Sequence, residues 1–594
     1  MTGWAAFLAY IVRLSFRVDR RRTFVGVLHV LATTLSIPLF ALGTQHLIDA
    51  ASRGAVTEAT VLGALIGLLW ISSVAVAHLV RPTELELGDL NAAAFDEELI
   101  ELAAGSAGLA HLENPAHADR VERARVESGN VGTAMFFVLI VAGFALQLLL
   151  TLILLARVRP VLLLLPLFAL PALVAGRWAQ RHVDGAKAST AEEARLSRHL
   201  LQLLTQAGPA KEIRVFGLAD ELRARHRAAW TSATETVARA ELRAAALRAG
   251  GQLVFVAGFL GAVVIVTRDA VAGQQTAGAV LLTVILATQL TIQTSGIVII
   301  ANSMHPMVEA VGHLRWLREQ ARAQPSLEGD APVPDRIRDG LRLEGVSFSY
   351  PGSEGRALDR VTLDLPAGSV VALVGDNGAG KTTLVKLLCR FYEPGEGAIT
   401  LDGVDLRRFD LREWRERLTA GFQDYARIEV LARETVGIGH LPALEDPAAV
   451  AGALDRAQAA DVVATLPSGL ESPLGRSWSN GSELSGGQWQ KLALGRTMMR
   501  PEPLVLLLDE PTAALDAHAE HILFERYAES ARAAARTSGA ITLLVSHRFS
   551  TVAMADLIVV LDAGRVAEAG SHDELLARDG AYAELYRLHA LAYR

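Results

Sequence analysis

Six long apolar runs constrain most strongly what this sequence can fold into, and all of them lie before residue 305 of 594. A helix needs about 20 mostly apolar residues to cross the hydrocarbon core of a bilayer, which is about 30 Å thick. The remainder of the chain contains no comparable run. The pattern predicts six membrane-spanning helices, near residues 24–43, 59–80, 131–156, 160–176, 250–266 and 276–300.

Arginine placement predicts how these spans are oriented. The first 23 residues contain five arginines and no lysine, and basic residues favour the cytoplasmic side of a membrane. We therefore expect a cytoplasmic N-terminus, and each even-numbered span then returns the chain to the cytoplasm. Residues 4–18 have the pattern of an amphipathic helix lying on the inner membrane surface. Because five further spans follow the first run, we do not interpret that run as a signal peptide.

The connections after spans two and four are long, charged and nearly free of helix breakers, so we expect helices that extend into the cytoplasm. Proline, glycine and charged residues are concentrated in residues 319–340, which predicts a linker. From residue 341 short valine- and leucine-rich strands alternate with helices. The predicted organisation is an N-terminal amphipathic segment (1–23), an all-α membrane domain (24–318), a linker (319–340) and a soluble α/β domain (341–594).

Composition excludes several classes of protein. The net charge of −7 gives no reason to expect a nucleic-acid partner. A single cysteine, Cys389, excludes both a disulfide framework and a cysteine-rich metal site within one chain. Its position after a glycine-rich loop favours an ordinary core residue.

A glycine-rich loop, GDNGAGKTT, lies between a predicted strand and a predicted helix and fits the pattern G-x-x-x-x-G-K-[ST]. The glycines allow the backbone N–H groups to surround phosphates. In a chain with few lysines, Lys381 is well suited to contact the β and γ phosphates as a compact charge, and Thr382 to bind Mg²⁺. The candidate phosphate-binding residues are Gly375, Asp376, Asn377, Gly378, Ala379, Gly380, Lys381, Thr382 and Thr383.

Two further apolar strands end in residues suited to phosphate chemistry. LVLLLDEPTAALD places Asp509 and Glu510 at the end of a predicted buried strand. Asp509 suits a contact with Mg²⁺, and Glu510 could polarise the water that attacks the γ-phosphate. ITLLVSHR is another such strand and ends near His547.

A second glycine turn, LSGGQ, precedes another predicted helix and has no lysine. Free N–H groups and the helix dipole make such a helix start a suitable anion site. The residues are Ser485, Gly486, Gly487 and Gln488. One chain therefore contains two elements suited to phosphate.

Together these motifs resemble the ATP-binding domain of an ABC transporter, and six spans before one such domain resemble an exporter-type half-transporter. The glycine loop matches Walker A, LVLLLDE matches Walker B, and LSGGQ matches the family signature. The resemblance implies an α/β P-loop ATPase domain with a helical subdomain. It also implies that Gln423 is the Q-loop glutamine, Asp516 the D-loop aspartate, His547 the switch histidine and Tyr350 the residue that stacks on adenine.

The same resemblance implies ATP and Mg²⁺ as cofactors. It implies that Glu510 is the catalytic base and acts beside Gln423 and His547. It also implies that Thr382, Gln423 and Asp509 bind the metal. It implies a dimer in which Ser485–Gln488 of one chain close over ATP held by the other. A homodimer is preferred and a heterodimer is possible. The turns near 114–120 and 211–217 would be coupling helices. We expect a multi-pass protein of a bacterial inner membrane with a cytoplasmic ATPase domain.

Three functions remain open at this point. The first is ATP-driven export of an amphipathic small molecule or peptide. The segment after Gln423, DYARIEVLARETVGIG, is weakly similar to bacterial peptide exporters. The second is a lipid flippase or an exporter-fold importer, and the third an ATP-gated sensor that transports nothing. The substrate is unknown. Gln289 and Gln293 share one face of the sixth span, which predicts interhelical hydrogen bonds more strongly than substrate contact.

Overall fold

The computed structural model describes residues 2–105, 108–323, 328–353, 355–511, 532, 535–546 and 549–592. The chain divides into two compact units. The first unit contains residues 1–101 and 120–317, and the second contains residues 102–119 and 318–594. The short turn at 102–119 therefore belongs with the second unit, although it lies between two helices of the first.

The first unit is helical. Six of its helices are long and apolar enough to cross a membrane, and each predicted run falls within one of them to within a residue. The prediction of a multi-pass membrane protein with six spans is confirmed. The helices are α1 (Thr2–Val18), α2 (Arg20–Ser52), α3 (Val56–Ala104), α4 (Ala110–Glu113), α5 (Pro115–Val158), α6 (Leu165–Ser189), α7 (Ala191–Thr205), α8 (Ala210–Val215), α9 (Ala219–Val271), α10 (Ala277–Ser303) and α11 (His305–Ala323), with α4 in the second unit.

Several of these helices are longer than a bilayer requires. Helix α3 has 49 residues and α9 has 53. At about 1.5 Å per residue they are more than twice as long as a hydrocarbon core is thick. The predicted helical extensions are therefore present. The fourth span begins with a 3₁₀ turn at Pro160–Leu164 before α6, which contains Pro166 in its first turn and Pro171 in its interior.

Buried polar contacts join helices of the first unit. Asp49, near the end of α2, accepts hydrogen bonds from the Gly278 N–H (2.9 Å) and the Thr276 hydroxyl (3.0 Å) at the start of α10. The Gln293 amide of α10 donates to the Thr151 hydroxyl of α5 at 3.2 Å. This confirms the interhelical hydrogen bond expected of Gln293. Gln289, by contrast, lines a cavity of about 500 Å³ together with Phe40 and Trp70.

The amphipathic pattern of the first residues is realised in α1. Phe7, Ile11 and Leu14 are buried on one face, at helical spacing, while Trp4 and Leu8 are exposed. The buried face packs within the first unit. Attachment of the exposed face to the membrane surface stays a prediction.

The second unit contains two β-sheets. A four-stranded antiparallel sheet has the order β2-β1-β4-β5, and a six-stranded sheet has the order β10-β9-β3-β8-β7-β6 with a parallel centre. The strands are β1 (Gly340–Phe348), β2 (Leu358–Pro366), β3 (Val370–Val374), β4 (Glu396–Leu401), β5 (Val404–Asp405), β6 (Leu418–Gly421), β7 (Val505–Asp509), β8 (Ile541–Val545), β9 (Leu557–Asp562) and β10 (Arg565–Gly570).

Helices cover these sheets and form a separate helical subdomain. The main core includes Trp414 and Leu387, whereas a second core around Val436, Leu454 and Trp489 holds the subdomain together. The α/β domain with a helical subdomain is thereby confirmed. The helices are α12 (Lys381–Leu388), α13 (Leu411–Glu416), α14 (Ala432–Gly437), α15 (Pro447–Arg456), α16 (Ala460–Ala464), α17 (Gly486–Thr497), α18 (Phe549–Val552), α19 (His572–Arg578) and α20 (Ala581–Ala592).

Part of the segment expected to be a linker packs against the second unit. Ile337 is 1% exposed and its N–H donates to the Ser538 carbonyl at 2.8 Å. Asp330 forms an ion pair with Arg408 at 3.0 Å. An apolar side chain within a polar stretch thus fixes residues that composition alone assigns to a loop.

Candidate functional site

The glycine loop follows β3 and leads directly into α12. Gly375, Gly378 and Gly380 have φ angles of +148°, +86° and +102°, a region that side chains other than glycine rarely adopt. A Cβ at Gly375 would lie 2.2 Å from the Leu561 carbonyl oxygen. The loop therefore needs glycine for both conformation and space. Asp376 and Asn377 are exposed within it, and Ala379 is buried.

Lys381 points back into this loop. Its ammonium donates to the Gly375 carbonyl at 2.7 Å and to the Asp376 carbonyl at 2.9 Å, and the residue is only 8% exposed. An ammonium has three donors, so it can bind phosphate oxygens at the same place. The geometry fits a phosphate group enclosed by the loop.

Thr382 and Asp509 meet beside the loop, although they lie on α12 and β7. Asp509 is 2% exposed, and the neighbouring Thr382 hydroxyl acts to lower the pKa of its carboxyl. Burial raises the pKa of the Asp509 carboxyl, and the neighbouring carboxylates of Glu510 and Asp424 add to this effect. A cation would relieve the cost of burying this charge. A hydroxyl and a carboxylate are the oxygen ligands that Mg²⁺ prefers, so the pair fits Mg²⁺.

The described part of the chain contains no group of three or more histidine, cysteine, aspartate or glutamate side chains that could hold a metal. Mg²⁺ in nucleotide sites usually keeps one or two protein ligands, with phosphates and waters completing its shell. A small protein ligand set is therefore what this kind of site requires.

Gln423 and Glu510 also come together. The Gln423 amide, two residues after β6, donates to the Glu510 carboxylate at 2.8 Å. Glu510 has φ +46°, and its N–H donates to the Val545 carbonyl of β8 at 3.1 Å. The parallel order β6-β7-β8 brings these residues to one edge of the sheet. Gln423 therefore lies beside the proposed base, where it can orient it.

Tyr350 lies next to α12. Its hydroxyl is 3.1 Å from the Thr383 hydroxyl. Its ring makes edge contacts with Phe348 at 5.1 Å and with Tyr392 at 5.4 Å, measured between ring centres. An aromatic side chain is thus held beside the phosphate loop, as an adenine-stacking residue needs.

The LSGGQ turn begins α17 in the helical subdomain. The Ser485 hydroxyl accepts from the Gln488 N–H at 3.3 Å, and the Gln488 side chain accepts from the Ser485 N–H at 2.8 Å. This capping box fixes the start of the helix. Gly486 and Gly487 then present N–H groups of the first turn, which have no acceptor within a helix. The Tyr425 hydroxyl donates to the Gly486 carbonyl at 2.8 Å.

Two predicted site residues, Asp516 and His547, lie outside the described residues. Three residues that none of the sequence motifs contains are near Tyr350: Glu113, Lys386 and Tyr392. Tyr392 and Lys386 follow the loop closely, so proximity along the chain could have suggested them. Glu113 is more than 270 residues from both, and no local pattern marks it.

Cys389 directly follows α12 and packs in the main core of the second unit. It is 1% exposed, and burial raises the pKa of its thiol to about 12. The interpretation as a core residue is confirmed.

Comparisons with known proteins agree with this geometry. Residues 358–513 match the family described as "ABC transporter". An "ATP-dependent lipid A-core flippase" of Ralstonia nicotianae is 45% identical over 256 residues, or 43% of this chain and 41% of the flippase. The "Mitochondrial potassium channel ATP-binding subunit" of Rattus norvegicus is 38% identical over 327 residues, or 54% of this chain and 44% of that protein. The chain thus matches less than half the length of these relatives.

A solved structure is similar over almost the whole chain. The structure described as a bacterial Atm1-family ABC exporter with ATP bound has a TM-score of 0.73 and 27% sequence identity, covering 97% of this chain and 99% of that one. The similarity therefore includes the helical unit as well as the two-sheet unit.

Proposed function

We propose that this chain, which has the fold of an ABC exporter, is an ABC half-transporter that uses ATP to move an amphipathic substrate out of the cytoplasm. The observation on which this rests is the site itself. One edge of the six-stranded sheet carries the glycine loop with Lys381, the Thr382–Asp509 pair and the Gln423–Glu510 pair. The described part of the same chain also has six helices that are long and apolar enough to cross a membrane.

We propose that each side chain has a distinct task in this site. Tyr350 stacks on adenine, the loop N–H groups and Lys381 bind the phosphates, and Thr382, Asp509 and Gln423 face Mg²⁺. Bound Mg²⁺ would neutralise phosphate charge and fix the orientation of the phosphates. Glu510 accepts a proton from the attacking water as the water oxygen bonds to the γ-phosphorus and ADP leaves. By resemblance, His547 and Asp516 complete the site.

The LSGGQ turn supports the proposal of a dimer. Its capping box and first-turn N–H groups form an anion-binding helix start, yet it has no lysine and belongs to the helical subdomain core rather than to the core beneath the loop. We propose that Ser485–Gln488 bind the γ-phosphate of ATP held by a second copy. ATP binding would close the dimer and hydrolysis would open it.

We also propose the domain limits that the sequence predicts, at 24–318, 319–340 and 341–594.

A cavity in the helical unit bears on the class of substrate. Helices α2, α3 and α10 line the cavity of about 500 Å³ with aromatic and aliphatic side chains and one amide, Gln289. Such a lining suits an amphipathic molecule. We propose export from the inner membrane of a bacterium, either of a small molecule or peptide or, as the names of the flippase relatives suggest, of a lipid.

A sensor without transport is the second candidate function, because one relative is named as the ATP-binding subunit of a channel. Reconstitution into liposomes distinguishes the two. Protein with the ATPase domain facing outward is given Mg-ATP, and the uptake of a labelled lipid and of an amphipathic peptide is followed. ATP-dependent uptake of either supports export. ATP hydrolysis without movement of a broad substrate panel would contradict it.

A further inference from the structure

Four side chains form what we call the adenine-side cluster: Glu113, Tyr350, Lys386 and Tyr392. Glu113 ends α4, in the turn between α3 and α5 that packs with the second unit. Lys386 is in the last turn of α12, and Tyr392 follows that helix. The cluster therefore connects the turn at 102–119 with the residue proposed to meet adenine.

Glu113 uses both carboxylate oxygens in this cluster. The Lys386 ammonium lies 2.6 Å from Oε1, and the Tyr392 hydroxyl donates to Oε2 at 2.5 Å. Charge-assisted bonds of this length are stronger than neutral ones. One carboxylate thus fixes the positions of two side chains.

Those same two side chains contact the ring of Tyr350. The Lys386 ammonium lies over the ring, 5.3 Å from its centre, within the range of a cation–π contact. The Tyr392 ring meets it edge-on at 5.4 Å and 84°. The Tyr350 hydroxyl is held at Thr383, and two further contacts that orient its ring come from side chains that Glu113 holds.

Protonation keeps these contacts intact at neutral pH. Burial and the Glu113 carboxylate raise the pKa of the Tyr392 hydroxyl, so it remains a donor. Burial lowers the pKa of the Lys386 ammonium, but Glu113 and Tyr350 together outweigh this effect, so the pKa lies above its ordinary value. The side chains of Lys386 and Glu113 are 21% and 36% exposed, so water screens the pair only partly.

We propose that Glu113 is a positioning residue for the nucleotide base. Through Lys386 and Tyr392 it sets the Tyr350 ring, so that base binding and the position of the α3–α5 turn depend on each other. The inference rests on the proposed function, because the contact of Tyr350 with adenine is part of that proposal. Coupling of this kind is reciprocal, so adenine would in turn stabilise the docked turn.

The test separates the base from the phosphates. Full-length protein in detergent is titrated with ATP and with inorganic tripolyphosphate, which has no base. We expect Glu113→Ala to weaken ATP binding by about fivefold or more, the lower range of measured couplings, and to leave tripolyphosphate binding unchanged. Glu113→Gln should lie between, because an amide oxygen still accepts from Tyr392 while the ion pair with Lys386 is lost.

A matched control is available in the same unit. Lys491 and Asp461 form an ion pair of 2.7 Å in which the lysine is also 21% exposed. Asp461→Ala should leave both affinities at the parent value. In a Tyr350→Ala background, Glu113→Ala should have no further effect on ATP binding, because the ring that it positions is absent.

The outcomes distinguish this inference from the proposed function. If Lys381→Ala left ATP binding intact, the proposed nucleotide site would be wrong and the inference with it. If ATP binding needed Lys381 but Glu113→Ala bound ATP like the parent, only the inference would be overturned. The inference would also be overturned if Glu113→Ala weakened the binding of ATP and of tripolyphosphate equally. The same holds if Glu113→Ala weakened ATP binding as much in the Tyr350→Ala background as in the parent protein.

Discussion

Glu510 combines a left-handed backbone with a fixed carboxylate. A non-glycine residue in this region costs about 1–3 kcal/mol, and such residues cluster at functional sites. Here φ is +46°, and the carboxylate accepts from Gln423. The conformation places the carboxylate past the end of β7, beside Asp509 rather than within the strand. Strand and partner together fix the carboxylate, which we propose accepts the proton of the attacking water.

Replacing Glu510 with glutamine tests its role as a base. The side chain keeps its shape but loses its basicity, so we expect ATP turnover to fall by roughly 10²-fold or more while ATP still binds. Turnover is measured as phosphate release and binding by titration. Glu502→Gln, an exposed residue before the same strand, should behave like the parent. A Glu510→Gln protein within a few-fold of parent turnover would exclude it as the base.

Replacing Lys381 with alanine should act on binding itself. The ammonium is directed into the glycine loop by two carbonyls, and loss of a charged hydrogen bond costs about 1.5–3 kcal/mol. We expect ATP affinity to fall by about tenfold or more. Lys491→Ala serves as the control. Unchanged affinity for ATP in Lys381→Ala would show that phosphate is bound elsewhere.

Elements differ in how much of their structure the sequence revealed. The strand, loop and helix around Lys381 and the strand ending in Asp509 were predictable, because buried apolar runs and a fixed glycine spacing are local signals. The packing of Ile337 was not, because its partner Ser538 is about 200 residues away. Glu113 could not be predicted for the same reason, because Lys386 and Tyr392 are more than 270 residues away along the chain. For Gln289 and Gln293, spacing placed both on one face but could not assign one to Thr151 and the other to a cavity.

The junction of α2 and α10 offers a test at this scale. Asp49 is 8% exposed and caps the start of α10 through Thr276 and Gly278. Replacing a capping side chain by alanine costs about 1 kcal/mol, so Asp49→Ala should lower the thermal unfolding midpoint by a few degrees. Glu58→Ala, which removes an exposed ion pair with Arg53, should change it little. An unchanged midpoint in Asp49→Ala would show that this cap does not stabilise the unit.

For the whole molecule, the central prediction is that LSGGQ acts between chains. Asn377 in the loop and Glu483 before the signature are both exposed, so cysteines there are accessible, and Cys389→Ala removes the native thiol. With Glu510→Gln to retain ATP, a short bifunctional maleimide should give a band at twice the chain mass only with Mg-ATP. ATP binding of the double-cysteine protein is checked first.

Single-cysteine chains provide the control for that experiment. Neither should cross-link alone, and mixing the two should restore the ATP-dependent band if the protein is a homodimer. A cross-link confined to one chain would contradict closure between chains. A band in the separate single-cysteine samples would indicate a different contact between copies.

The length of helix α3 determines how far its C-terminal end moves when the helix tilts. Its 49 residues run without interruption from Val56 to Ala104, with Pro82 part-way along. Because proline removes one backbone hydrogen bond of a helix, we expect α3 to bend more easily at Pro82 than elsewhere along its length. The 22 residues beyond it form a lever arm of about 33 Å at 1.5 Å per residue. A tilt of about 5° at Pro82 would displace the C-terminal end of α3 by about 3 Å, which is the length of a hydrogen bond. Very small tilts of α3 at Pro82 would therefore be enough to make or break contacts at its C-terminal end.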